Sequence, residues 1–300
     1  KVSIFIRINR KKSMPELPEV ESIRRKLTSI LANRQIQQIE VLREKSFLAF
    51  PTLSQEILNQ TVMEVKRRAK ILQIVLNGQR DLLIHLKMTG QLIFVDVDGK
   101  RAGGGHPNAD WVNDLPAKHT RVVFSFTDSS KLFFNDMRVF GWIRSPLKID
   151  VSKEFVNYGP DIDDPNLTVD YLLNAAKKRQ VPIKQFIMDN KVICGVGNIY
   201  ASESLFAVGM NPTKPAKKVN KKEMNKLLKA MQAIIERSTE LGGTTFDGKY
   251  VGVDGFAGGF QNELKVYGHT GETCFKCGTK IEKIKQAGRG TFYCPTCQQK

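Results

Sequence analysis

Two groups of residues in this 300-residue chain have types and spacing suited to chemistry. Cys274 and Cys277, followed by Cys294 and Cys297, form C-x2-C-x16-C-x2-C. That spacing suits one tetrahedral Zn2+ bound by four thiolates, with two knuckles holding a β-hairpin; a disulfide pair or a redox motif is the competing reading. Four protein ligands leave no open position, so the ion would be structural, and thiolate ligation implies a reducing compartment. The second group is Met14-Pro15-Glu16. If translation starts at Met14, the small ring of Pro15 permits removal of the initiator and leaves a secondary amine. An α-amino group with a pKa of about 8 is partly neutral at pH 7. A neutral amine can attack a sugar C1′ and form an iminium, with Glu16 beside it to give or take a proton. Pro and Glu are also favoured at a helix N-terminus, so spacing alone leaves both readings open.

Composition points toward a polyanion as partner. Lys and Arg number 47 against 30 Asp and Glu, a formal net charge of +17. The excess is uneven: residues 1–13 supply +5, residues 14–143 +4 and residues 144–300 +8. Such a field most often serves nucleic acid, with a basic solvated surface as the alternative. Between the two cysteine knuckles, Lys280, Lys283, Lys285 and Arg289 spread positive charge over the hairpin. No apolar stretch approaches the roughly 18 residues that a membrane-spanning helix needs.

These residues need elements to hold them. Pro15–Leu31 reads as an amphipathic helix, with Val20, Ile23, Leu27 and Ile30 at helical spacing and Glu16, Glu19 and Glu21 in its first turns. Eight β-type runs follow: Gln35–Val41, Thr61–Arg67, Ile71–Leu76, Asp81–Leu86, Gln91–Val95, Arg121–Phe126, Lys131–Asn135 and Phe140–Arg144. Short strands without intervening helices predict a β-sandwich or barrel. Gly103–Gly105 lacks the Gly-Lys-Ser/Thr end of a phosphate loop and reads as a flexible connector. Helices are predicted at Thr168–Lys178, Ile183–Asp189, Ile199–Phe206 and Lys221–Leu241. The tight Gly195-Val196-Gly197-Asn198 turn between two of them can aim backbone N–H groups at a phosphate. Thr244–Phe260, rich in glycine, reads as a mobile loop, and Cys194 as a buried apolar filler.

The expected organisation is α+β and multidomain. A leader covers residues 1–13, a β-sandwich with an N-terminal helix 14–144, and a linker 145–164. A helical domain with a capping loop covers 165–260 and a zinc-finger β-hairpin 261–300. The leader reads as upstream sequence before a working start at Met14, with an organelle transit peptide as the alternative.

Seven motifs then fall in one order: Met14-PELPEVE, Arg67-Arg68-Ala69-Lys70, His85-Leu-Lys-Met88, Asp136-Met-Arg138-Val-Phe140-Gly141, Gly195-Val-Gly-Asn198-Ile-Tyr200-Ala-Ser-Glu203, Glu263-Leu-Lys-Val-Tyr267-Gly268 and the paired cysteines. From Met14 to Lys300 the chain closely resembles the bacterial formamidopyrimidine-DNA glycosylases. Leu17 favours this purine-lesion branch over the endonuclease VIII branch, which usually begins PEGPE.

The resemblance implies a bifunctional glycosylase and AP lyase that excises oxidised purines from damaged double-stranded DNA. It implies a helix-two-turn-helix domain, one structural Zn2+, a monomer and a cytoplasmic, nucleoid-associated location. Pro15 matches the nucleophile, Glu16 the acid assisting sugar-ring opening, Lys70 the lysine of β-elimination and Arg289 the arginine of δ-elimination. Met88, Arg138 and Phe140 match the trio that fills the gap left by a flipped nucleotide. Asn198 matches a phosphate-holding turn residue. His85, His119, Arg179, Lys184, Tyr267 and Lys283 fall where family members contact DNA. The glycine-rich loop resembles a lid over the extruded base. Val139 departs from the pattern, standing where a basic residue is often found. The rival readings are a non-catalytic zinc-finger DNA-binding protein and an endonuclease VIII-like enzyme for oxidised pyrimidines.

Overall fold

The computed structural model describes residues 15–48, 54–106, 114–244 and 258–299. Helix α1 (Leu17–Leu31) forms because Val20, Ile23, Leu27 and Leu31 recur on one face, and all four are buried. The Oε2 atom of Glu19 accepts the Glu16 N–H at 2.8 Å, which satisfies one of the orphan donors at the helix start. Leu17 packs elsewhere, in the core of the helical domain with Ile162, Val196 and Phe260. One helix is therefore shared by two cores, and its first turn lies at their junction.

The sandwich has two antiparallel sheets. One contains, in spatial order, β1 (Ile36–Val41), β7 (Thr120–Phe126), β8 (Lys131–Asp136), β5 (Gly90–Val95) and β6 (Arg101–Gly105). The other contains β2 (Val62–Arg68), β3 (Ile71–Leu76), β4 (Leu82–His85) and β9 (Trp142–Arg144), with a single helical turn, α2 (Ser54–Ile57), preceding it. Val65, Ile74 and Ile84 meet Leu92, Phe124 and Phe134 between the sheets, and Leu27 and Leu31 of α1 join the same core.

Strand β6 corrects the reading of Gly103–Gly105 as a flexible connector. These glycines pair with β5, and a Cβ at Gly103 would stand 2.0 Å from the Leu92 carbonyl oxygen. Only a residue without a side chain fits so close, at φ +140°. A composition that reads as a loop is here the condition for forming the strand.

The expected linker contains 3-10 turns at Lys148–Phe155. The helical domain follows with α3 (Val169–Lys177), α4 (Ile183–Ile187), α5 (Asn198–Ala207) and α6 (Lys221–Glu240). Two predicted starts coincide with side-chain caps: Thr168 Oγ1 accepts the Tyr171 N–H at 3.1 Å, and Asn220 Oδ1 accepts the Glu223 N–H at 3.0 Å. The hairpin β10 (Glu282–Gln286) and β11 (Arg289–Tyr293) closes the chain over a small core of Phe206, Val266, Ile281 and Phe292. Phe206 lies at the end of α5, so this finger is seated on the helical domain. Cys194 is fully buried, as its apolar flanks predict. Among the described residues no helix is long and apolar enough to cross a membrane.

Candidate functional site

Pro15 and Glu16 lie at the junction of the two large cores, and both are buried. Glu16 is 7% exposed, and its Oε1 accepts the Asn198 N–H at 2.8 Å, at the N-terminus of α5. Its Oε2 is buried without a hydrogen-bond partner. Burial pushes the carboxyl pKa up from 4.5 to about 7, against the pull of Lys70 and of the Asn198 and Ile199 N–H groups; Glu19 adds to the rise. Desolvation thus outweighs the favourable field of the helix N-terminus. At neutral pH a substantial fraction of Glu16 carries a proton to donate.

The Gly195-Val196-Gly197 turn makes this contact possible. A Cβ on Gly197 would fall 1.9 Å from the Glu16 carboxyl carbon. Gly195 has φ +102°, and a Cβ there would meet Leu17 Cδ1 at 2.4 Å. Glu19 fastens the same junction from the other side. Its Oε1 accepts the Thr244 N–H at 2.7 Å and the Tyr200 hydroxyl at 3.0 Å.

Lys70 stands in the tight turn between β2 and β3, next to Ala69 with φ +53°. Asp161, from the interdomain linker, clamps that turn. Its Oδ1 accepts the Ala69 N–H at 3.0 Å, and its carboxylate pairs with Arg67 at 3.2 Å and Arg68 at 3.1 Å. Arg67, with its side chain 5% exposed, also pairs with Glu21 of α1 at 3.0 Å and with Asp163 at 2.5 Å. Burial and the Arg24 and Arg67 guanidinium groups bring opposite pressures on Glu21; the arginines win and hold its carboxyl down at about 2. The backbone of the Asp161 segment pairs with Cys194 just before the glycine turn, with the Ile162 N–H on the Cys194 carbonyl at 2.9 Å. One segment therefore holds both the lysine-bearing hairpin and the turn that contacts Glu16. Asp161 was missed in the sequence because Gly159-Pro160-Asp161 has only the composition of a linker.

Met88, Arg138 and Phe140 lie close together. Arg138 Nη1 lies 3.3 Å from Met88 Sδ, and its guanidinium sits over the Phe140 ring at 4.7 Å. Phe140 is 53% exposed, which excludes a core-packing role. Buried Asp136 shapes this loop by accepting the Arg138 N–H at 3.1 Å, the Gly141 N–H at 2.7 Å and the Thr89 hydroxyl. Val139, the departure from the family pattern, adopts φ +55°. His119 lies half-buried just before β7, and its carbonyl accepts the Asp136 N–H at 2.8 Å. The Lys87 N–H donates to His85 Nδ1 at 3.0 Å, which leaves Nε2 as the protonated nitrogen. Burial, then Lys87 and Lys70, push the His85 pKa down to about 3, so the ring is a neutral donor.

The remaining predicted residues gather between α4, α5 and the hairpin. Lys184 is only 2% exposed, and its Nζ donates to Asn198 Oδ1 at 2.7 Å, Thr291 Oγ1 at 2.9 Å and the Gly290 carbonyl at 3.1 Å. Burial lowers its pKa to about 7, with Glu16 opposing. Asn198 Nδ2 donates to the Gly290 carbonyl at 3.1 Å and to the Tyr267 hydroxyl at 3.4 Å. Lys184 and Asn198 are thus struts between the turn and the hairpin that carries Arg289. Arg289 itself is exposed, and it borders a cavity of about 300 Å³ with Arg179, Lys184 and Gln286. Arg179 pairs with Asp189 at 2.5 Å. Lys283 is exposed, its ammonium 5.2 Å from the Phe292 ring centroid. Glu203, quoted in the glycine-turn motif without a role, accepts the N–H groups of Lys265, Val266 and Tyr267 at 2.8 to 3.0 Å. Most of the predicted lid, residues 245–257, lies outside the described residues.

The Sγ atoms of Cys274, Cys277, Cys294 and Cys297 lie within 4.8 Å of one another. Two of the separations are 3.5 Å and 3.9 Å. A tetrahedron with Zn–S bonds of 2.3 Å has edges of about 3.8 Å, so the four sulfurs fit one structural zinc.

Comparison with known proteins gives three domain matches. Residues 14–143 match the formamidopyrimidine-DNA glycosylase N-terminal domain, residues 158–249 the formamidopyrimidine-DNA glycosylase H2TH domain, and residues 271–300 the zinc finger found in FPG and IleRS. The formamidopyrimidine-DNA glycosylases of Rickettsia africae and Rickettsia conorii are each 39% identical over 288 residues, covering 95% of this chain and 99% of theirs. Lactococcus lactis Fpg in complex with DNA containing an abasic site superposes with a TM-score of 0.84 at 30% identity, covering 95% of this chain and 100% of that one. MutM in complex with DNA containing carbocyclic 8-oxo-G gives a TM-score of 0.83 at 30% identity, with the same coverage.

Proposed function

The chain belongs to the formamidopyrimidine-DNA glycosylase family, and on that premise we propose that it excises oxidised purines from duplex DNA and nicks the strand at the resulting site. The observation that carries the reading is Glu16, buried beside Pro15 with a pKa of about 7 and one carboxyl oxygen unpaired.

The Pro15 nitrogen attacks C1′ of the extruded nucleotide. The bond from C1′ to the purine breaks, and the base leaves with a proton. Glu16 protonates O4′ as the sugar ring opens, giving an iminium between Pro15 and C1′. Loss of the C2′ proton expels the 3′ phosphate, and a second elimination expels the 5′ phosphate. Lys70, which lies near enough to Glu16 to affect its ionisation, assists the first elimination, and Arg289 grips the phosphate lost in the second. The attack requires a secondary amine at Pro15, which a residue on its N-terminal side would convert to a tertiary amide.

Arg138 and Phe140 enter the helix in place of the flipped nucleotide, with Met88 beneath them. His85, His119, Arg179, Asn198, Tyr267 and Lys283 line the path of the phosphates. Lys184 serves that path by holding Asn198 and the hairpin in place. The enzyme acts as a monomer on DNA in the cytoplasm, and its basic surface supplies salt-dependent, sequence-independent affinity.

The test is borohydride trapping of a chain starting at Pro15 on a duplex containing 8-oxoguanine. A covalent adduct that falls with Pro15→Gly and with Glu16→Gln supports the mechanism, and an undiminished one overturns it. No adduct from the native chain overturns it and leaves a non-catalytic DNA-binding protein.

A further inference from the structure

The turn between β4 and β5 contains a side chain in an unfavourable place. Lys87 has φ +52°, in the left-handed region where a Cβ is disfavoured and glycine is at ease. It stands between His85 and Met88, and its N–H fixes the His85 ring. The strand register places Trp142 of β9 directly opposite His85, and the two rings meet edge-on at 5.6 Å. Arg144, two residues along β9, lays its guanidinium over Trp142 at 4.5 Å and pairs with Glu154 at 2.6 Å.

The pairing of Leu72 with Ile84 and of Trp142 with His85 brings Lys70, Lys87 and Arg144 toward the same end of the β3–β4–β9 sheet. Lys87 is half-buried, and burial first, then Arg144 and Lys70, lower its pKa. Among the described residues neither Lys70 nor Lys87 forms an ion pair, and Glu154 is the only carboxylate paired within the trio. Such crowding is unfavourable in the free protein and is relieved when an anion binds.

We propose that Lys87 and Arg144 form a phosphate-binding pair that extends the DNA contact surface from the β4–β5 turn onto the edge strand β9. The ligand is the phosphodiester backbone, since the adjoining residues His85 and Met88 belong to the proposed DNA contact surface and gathered cations match the charge of phosphates. This rests on the reading that the chain binds duplex DNA. Arg144 is held ready by Trp142, and Lys87 keeps a strained backbone because its charge is needed where the turn approaches the strand.

Each phosphate contact adds close to one unit to the salt dependence of affinity. The experiment measures binding of the full chain to a duplex carrying an abasic analogue, from low to high KCl, with thermal unfolding alongside. Lys87→Gly is expected to reduce the slope of log K against log salt by about 1 while raising Tm, because glycine relieves the positive φ. Lys87→Met, which keeps the stem, is expected to reduce the slope by the same amount, and Lys87→Arg to restore it. Adding Arg144→Met to Lys87→Met is expected to bring the total reduction to about 2. Unchanged slopes in both Lys87→Gly and Lys87→Met overturn the proposal while leaving DNA binding intact. A native chain that does not bind the duplex overturns the functional reading, and this proposal with it.

Discussion

The carboxylate of Glu16 accepts the backbone N–H of Asn198 at 2.8 Å, across 182 positions of sequence. This bond joins the first turn of the β-sandwich helix to the first turn of α5. It puts the proposed acid in a water-poor junction, where a substantial fraction of it keeps a proton at neutral pH.

That placement has a cost that can be measured. The Glu16 carboxyl ionises near its ordinary 4.5 in the unfolded chain and at about 7 in the folded one, so the folded state holds an extra proton between those values. The stability contributed is complete below pH 4.5 and declines as pH rises through 7. Above pH 7 the deficit is about 3 kcal/mol. Glu16→Gln, which cannot ionise, is expected to be more stable than the native chain at pH 8 and similar at pH 5. Denaturant unfolding at both values checks this, and coincident curves at pH 8 refute it. Base excision needs the Glu16 proton and the neutral Pro15 amine together, so its rate should follow a bell with its maximum between about pH 7 and 8.

Gly197→Ala should leave the fold standing and disable the site. The new Cβ would lie 1.9 Å from the Glu16 carboxyl carbon, so the acid must move. A displacement of about 1 Å is enough to lower excision on the order of 100-fold. Single-turnover rates on an 8-oxoguanine duplex, compared with an unchanged circular dichroism spectrum, test the claim.

Asp161→Ala should be among the more damaging single changes outside the cores. It removes the acceptor of the Ala69 N–H and one counter-charge of nearly buried Arg67. Breaking such a pair costs about 3 kcal/mol. Denaturant midpoints measure the loss. Because the turn that carries Lys70 loosens, strand nicking should fall further than base release.

Zinc removal should separate the finger from the rest. A structural site of this kind stabilises its fold by on the order of 10 kcal/mol, and the small core around Ile281 and Phe292 cannot replace that. Chelation is expected to abolish DNA binding while the sandwich, with its own core of Phe124, Phe134 and Leu27, retains a cooperative transition. Loss of both together would contradict this independence.

Much of this molecule is legible in one dimension. The period of Val20, Ile23 and Leu27, the alternation in the strands, the caps at Thr168 and Asn220 and the paired cysteines are local patterns. They reflect local physics: helical spacing, pleat, capping and ligand reach. The ordered motifs, Pro15-Glu16 among them, are likewise marks of the family. Tertiary structure decided what depends on residues far apart in the chain. Glycines 103 and 105 form a strand only because β5 comes close enough to exclude a side chain. Lys184, with the sequence signature of a surface cation, is spent on Asn198, Gly290 and Thr291. Asp161 looks like a linker residue until the β2–β3 turn is packed against it. The proton on Glu16 is decided in the same way, because desolvation depends on everything packed around the carboxyl and no spacing of neighbours encodes it.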